Sequence, residues 1–143
     1  MQDNGGISLE EDYPYNAMSD SCFAEFNGPV SVKEVYHVKS KSEAQLKAAI
    51  AQGVVSVTVD ADSDQFRNYK SGVVTSTECG TKLDHAIAAV GYGTTEDGID
   101  YYLVRNSWGA GWGDNGYIKI GRSGEDSWGI CGIQEISDWA LTN

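Results

Sequence analysis

Apolar residues come in short runs along this chain, and most runs alternate with polar positions, the period-two pattern of half-buried strands. Residues 30–38 (VSVKEVYHV) carry the β-branched content of a strand. The pattern then switches to helical spacing. Ser40 and Glu43 fit a capping box, Leu46, Ala49 and Ile50 fall on one face, and Gly53 is a natural stop. Residues 54–59 read as a buried strand, and residues 66–69 as a short helical turn. From residue 84 onward the chain is mostly strand. Residues 85–92 (HAIAAVGY) and 101–105 (YYLVR) flank a loop at 93–100, where Asp97-Gly98 signals a hairpin. Residues 116–121 (GYIKIG) alternate as a further strand. Residues 1–30 read as irregular, with turn chemistry at Gly5-Gly6, Tyr13-Pro14-Tyr15 and Asn27-Gly28-Pro29. One helix with about six strands predicts an α+β fold: an antiparallel sheet or partly open barrel with a helix packed against it.

Composition narrows the function classes. The 143 residues suggest one domain, 1–143, large enough for its own core. The net charge is −11, from 10 basic and 21 acidic residues, and no Lys/Arg cluster occurs, so nucleic-acid binding is not expected. No stretch approaches the ~20 apolar residues of a membrane span. The first residues have neither the basic nor the apolar region of a signal peptide. The three cysteines, Cys22, Cys79 and Cys131, are an odd number, which leaves one thiol without a partner in the chain.

Three local patterns carry candidate chemistry, and each has a plain structural reading beside the functional one. His85 in LDHAI opens an apolar strand and is equally a hydrogen-bonded structural histidine. Asn106 in NSWG follows another strand, where asparagine often just forms a turn. The GAGWGDNGY segment, with Trp112 close to Trp108, also suits an aromatic-lined sugar or peptide groove. Combined, the first two say more. They lie at the ends of strands joined by one hairpin, which sets an imidazole beside a carboxamide. A carboxamide oxygen accepting from one ring N–H fixes the tautomer and aims the other ring nitrogen at a nucleophile. Trp108 is placed to cover that hydrogen bond and exclude water.

The blocks DHAIAAVGYG (84–93), YYLVRNSWGAGWGDNGYIKIGR (101–122) and GICGI (129–133) closely resemble the papain/cathepsin family of cysteine proteases. DNGGISLEEDYPY (3–15) and QFRNYKSGVV (65–74) fit as well, so the likeness runs from about residue 2 to 139. The resemblance implies the C-terminal, strand-rich half of that fold and a peptidase using a Cys-His-Asn constellation. It implies His85 as general base and acid, Asn106 as its orienter and Trp108 as the shield of their contact. Trp112 and the nearby glycines would shape the leaving-group side. Thr58, Leu83, Asp84, Ala86 and Ile136 would line the substrate cleft, their largely apolar pocket taking the second residue before the scissile bond. Cys79 and Cys131 would form a disulfide, which disfavours Cys79 as a substitute nucleophile.

The family's Cys-Gly-Ser/Ala-Cys-Trp/Tyr block is absent. That cysteine precedes the histidine by ~130–150 residues, roughly 45–65 residues before Met1 here. The expectation is therefore a chain that lacks the helical half and is inactive alone, with Cys22 partnered in that half. The alternative is a non-catalytic interaction module. Expected partners are a polypeptide substrate, the missing half-domain, a propeptide or a protein inhibitor, in a lysosomal, vacuolar or extracellular setting. No metal or organic cofactor is implied. Asp60, Asp62 and Asp64 lack the offsets of an EF-hand and read as a solvated acidic loop, and His37 as a solvated strand residue.

Overall fold

The predicted helix forms where its apolar stripe is buried, but two residues later than its capping signal suggested. In the computed structural model, which describes residues 6–19, 21 and 28–142, helix α1 spans Glu43–Gln52 and buries Leu46 and Ile50. Its N-cap is Ser42 rather than Ser40: the Ser42 hydroxyl accepts from the Gln45 N–H at 3.3 Å. The Ser-x-x-Glu and Ser-x-x-Gln spacings both fit a capping box. Lys41 decides between them, because its φ of 62° is incompatible with a helix starting earlier. Ser40 instead donates to the Glu135 carbonyl at 2.6 Å. Gly53 ends the helix, its N–H donating to Ala49 O at 3.2 Å. Its backbone is extended, with φ 171°, so space rather than a left-handed turn favours glycine: a Cβ would stand 3.3 Å from Trp139 Nε1.

The chain folds as two compact units, residues 37–139 and residues 1–36 with 140–143. The larger unit holds α1 and strands β2 (Val55–Val59), β3 (His85–Thr94), β4 (Asp100–Arg105) and β5 (Tyr117–Gly121). It also holds the first residues of β6 (Ser137–Thr142), a strand that the sequence pattern did not reveal. The order is β6-β2-β3-β4-β5, antiparallel at every step. The α+β expectation holds. Leu46 and Ile50 meet Val55, Val57 and Val59 of β2, Ile87 and Ala89 of β3, and Tyr102 and Val104 of β4 in one core. The β3–β4 hairpin turns at Gly98, at φ 82°, as the Asp-Gly pair foretold. A β-bulge between Ala89 and Gly91 interrupts its ladder.

The helical turn expected at 66–69 is α2, Asp64–Arg67. It begins earlier because the Ser63 hydroxyl accepts from Phe66 N–H at 3.3 Å, a cap hidden among the aspartates. Cys79 and Cys131 are bridged, with a Cα separation of 4.8 Å. Cys22 lies outside the described residues. The smaller unit holds β1 (Val32–His37) up to Tyr36, and there Ile7 bridges Val30.

Candidate active site

Strand parity builds the site. On the inward face of β3 lie Ala89 and Ile87, and on that of β4 lie Tyr102 and Val104, all buried. His85 is the next inward position on β3, and Asn106 the next after Val104. The apolar face of the hairpin therefore ends in a polar pair on diagonal positions, within side-chain reach. His85 Nε2 and Asn106 Oδ1 are 2.8 Å apart. That oxygen also accepts from the Ser107 N–H at 2.8 Å, which fixes the orientation of the carboxamide. An oxygen can only accept, so His85 Nε2 carries the proton and donates, leaving Nδ1 as the basic nitrogen. Asn106 is only 7 % exposed, so water competes little for this bond.

Trp108 stacks on the imidazole, with centroids 5.1 Å apart and planes inclined by 28°. Its outer face is open, leaving it 45 % exposed. Behind it stands Phe66, fully buried, edge-on to Trp108 at 5.6 Å and to His85 at 6.3 Å. Trp112 leans on Phe66 at 5.1 Å and meets Trp108 at 5.4 Å. Its Nε1–H donates to the Arg67 carbonyl at 3.0 Å, anchoring the glycine-rich loop on α2. A cavity of about 190 Å³ opens beside His85, lined by Ala61, Asp62, Arg67, Asp84 and Trp108. An Arg67–Asp62 ion pair spans part of it. Sequence reasoning gave Phe66, Arg67 and Asp62 no part in the site. The only available signal for Phe66 was an apolar residue inside a four-residue capped turn.

Of the other sequence-derived residues, the fold gathers three. Thr58 lies directly opposite Ala86 on neighbouring strands, and its N–H donates to the Ile136 carbonyl at 3.1 Å. Ile136 is 52 % exposed. Leu83 is half-buried against Gly132, where an added Cβ would stand 2.7 Å from Leu83 Cδ2. Asp84 accepts the Ala61 N–H at 2.8 Å. Trp112 stands apart from these, in the aromatic cluster. One expectation fails: Asp60 is not part of a solvated loop but 8 % exposed, accepting the Lys82 N–H at 2.8 Å. Alternation with small residues made it look solvated, whereas the side chain turns inward to bond backbone. Its exposed counterpart His37 pairs with Asp138 at 2.5 Å. Among the described residues no group of three or more His, Cys, Asp or Glu side chains is arranged to hold a metal ion.

Residues 1–140 match the family profile described as papain family cysteine protease. The chain belongs to the papain family. Its curated relatives include the senescence-specific cysteine protease SAG39 of rice (Oryza sativa), 44 % identical over 130 residues, covering 91 % of this chain and 38 % of that protein. Papaya proteinase 4 (Carica papaya) is 45 % identical over 140 residues, covering 96 % of this chain and 40 % of that protein. The structure of bromelain protease from Ananas comosus in complex with the E64 inhibitor superposes with a TM-score of 0.88 at 35 % identity. That match covers 98 % of this chain and 65 % of the bromelain chain. The proform of the ragweed pollen allergen Amb a 11 gives a TM-score of 0.90 at 32 % identity, covering 99 % of this chain and 43 % of that one. The chain thus spans about two fifths of the length of the curated relatives it matches.

Proposed function

We propose that this chain carries the base half of a papain-type cysteine peptidase: His85 as general base and acid, Asn106 as its orienter, and Trp108 as the cover of their hydrogen bond. A cysteine thiolate supplied by a segment outside these residues attacks the scissile carbonyl carbon. The His85 imidazolium passes its Nδ1 proton to the leaving amine, and His85 then takes a proton from the water that hydrolyses the acyl-enzyme. The observation that carries the reading is the His85 Nε2–H···Oδ1 Asn106 bond of 2.8 Å beneath a stacked indole, which holds Nδ1 in its basic form. On this reading the chain by itself has no turnover, and the disulfide that holds Cys79, the cysteine nearest to His85 in sequence, supports it.

On this reading Thr58, Leu83, Ala86 and Ile136, with Asp84 at the edge, receive the second residue on the acyl side. Trp112 and the cavity at Arg67 lie on the leaving side. The four pocket side chains carry no acid, so an arginine would bury its charge unpaired, and Leu, Val or Phe is preferred there. The partners are polypeptide substrates and the nucleophile-bearing half, with a propeptide or protein inhibitor as further occupants of the same cleft. The working compartment is vacuolar, lysosomal or extracellular, in keeping with the disulfide.

The test joins the chain to a nucleophile-bearing half from a papain-family relative and assays a fluorogenic dipeptidyl amide. Turnover that vanishes in His85→Ala and falls in Asn106→Ala, with KM little changed, is expected. Turnover by the unjoined chain that depends on Cys79 would refute the assignment. A joined protein that binds an inhibitor but never turns over would favour the interaction-module reading.

A further inference from the structure

The ladder between β2 and β3 ends at the rung Val59↔His85. Beyond that rung the two strands have no further pairing of their own, yet this is where His85 must be held. Two carboxylates continue the connection in its place. Asp84 Oδ1 reaches across to accept the Ala61 N–H at 2.8 Å, and its own N–H donates to the Val59 carbonyl at 3.1 Å. In the opposite sense, Asp60 Oδ2 accepts the Lys82 N–H at 2.8 Å, while Oδ1 accepts the Asp62 N–H at 3.3 Å. The Asp60 N–H donates in turn to the Cys131 carbonyl at 2.8 Å. Residues 60–62 and 82–84 are thereby clasped from both sides.

Asp60 is the inner member of the clasp, 8 % exposed. Its surroundings are shaped for the carboxylate: at Gly80, with φ at +79°, an added Cβ would stand 2.4 Å from Asp60 Oδ2. Gly80 follows Cys79, and the carbonyl that receives the Asp60 N–H belongs to its disulfide partner Cys131. One buried residue therefore ties the bridged segments to the stretch that delivers the imidazole, the former through its backbone N–H and the latter through its carboxylate.

We propose that Asp60 is a positioning residue for His85, acting through Lys82 and the 82–84 backbone to hold the imidazole against Asn106. The inference rests on the reading of His85 as the base, and it concerns a residue that never touches substrate. A carboxylate suits the place better than a carboxamide, because both neighbouring groups are N–H donors and the –NH₂ of asparagine would oppose one of them.

The test is ¹⁵N-histidine NMR on the chain, which has only two histidines, His37 and His85. In the parent chain His85 should show a dominant Nε2–H tautomer. Asp60→Ala should lose that preference and show a mixed tautomer. Asp60→Asn, the backup should alanine prevent folding, should lose it partly, and the core variant Val74→Ala should lower the melting temperature without moving it. Loss of fold stability alone cannot produce that pattern. Folded Asp60→Ala or Asp60→Asn chains with the parent tautomer would overturn the proposal while leaving the His85–Asn106 reading intact. A parent chain with no preferred tautomer would overturn both.

Discussion

Removing the Cys79–Cys131 bridge tests how the larger unit is held together. The cysteines are 52 residues apart in sequence, and both are buried, at 0 % and 1 % exposure. In the chain-entropy account, releasing a loop of that length returns about 14 cal/mol/K to the unfolded state, or ~4 kcal/mol at 25 °C. A domain of this size has ~5–15 kcal/mol of stability in total, so the loss is large but leaves a measurable fold. With a urea slope of ~2 kcal/mol/M, the midpoint should fall by ~2 M. The double variant Cys79→Ala/Cys131→Ala, made with Cys22→Ser to prevent thiol exchange, is compared with its bridged parent by tryptophan fluorescence in urea. The slope should also change, because the unbridged denatured chain is less compact. The local consequence lies at Asp60, whose partners are the Cys131 carbonyl and the stretch after Gly80. An unchanged midpoint would refute the reasoning and show that the strands alone fix these segments.

Other perturbations have equally definite expectations. Phe66→Ala removes the buried ring behind His85, Trp108 and Trp112; it should cost ~3–5 kcal/mol by urea unfolding and weaken the near-UV circular dichroism of the tryptophans. Ser42→Ala should cost ~1 kcal/mol through the lost α1 cap, measured the same way, whereas Ser40→Ala should leave helix content unchanged. The Asp100 carboxyl is held below its ordinary range by the Thr94 hydroxyl and then by the Arg122 guanidinium. A depressed folded value means that this group's stabilisation is complete above the unfolded carboxylate range of ~3.9 and is lost as pH falls through the lower folded value. Asp100→Asn should therefore lower the melting temperature near neutral pH and flatten its decline in acid.

What the sequence made legible follows from how local each signal is. Helix α1, the Asp-Gly hairpin turn and the strands at 55–59, 101–105 and 117–121 rest on neighbouring residues, and all appear within a residue or two of expectation. The pairing of His85 with Asn106 was legible because one hairpin joins their strands, so little topology had to be guessed. Strand β6 was not, since Ser137-Asp138-Trp139 has no clear alternation and pairs with β2 some eighty residues earlier. Asp60 was misjudged for a related reason. Its burial depends on amide groups at Lys82 and on a carbonyl at Cys131, brought near only by the fold. The role of Phe66 was equally hidden, because a short turn held by the Ser63 cap has too few residues to show a period.

The bulge in β3 shows why a correct strand assignment still falls short of a site. Near the turn, Tyr92 pairs with Tyr102 and Gly91 with Leu103. Continued straight, that register would set Val90 opposite Val104 and turn Ala89, Ile87 and His85 to the outer face of the sheet. Instead Ala89 faces Val104 and Ala88 faces Arg105, so Val90 is the extra residue. One inserted residue reverses the parity of everything before it, because side chains alternate with a period of two. Ile87 and Ala89 are thereby buried, at 7 % and 0 % exposure, and His85 faces the same side as Asn106. The apolar run HAIAAVGY gives no hint of this, since its residues are nearly all small or hydrophobic and tolerate either face. Burial of Ile87 and Ala89 selects the bulged register, and the same selection brings the imidazole to its carboxamide. Core packing and the geometry of the site are thus set by one irregularity, at Val90, five residues from His85.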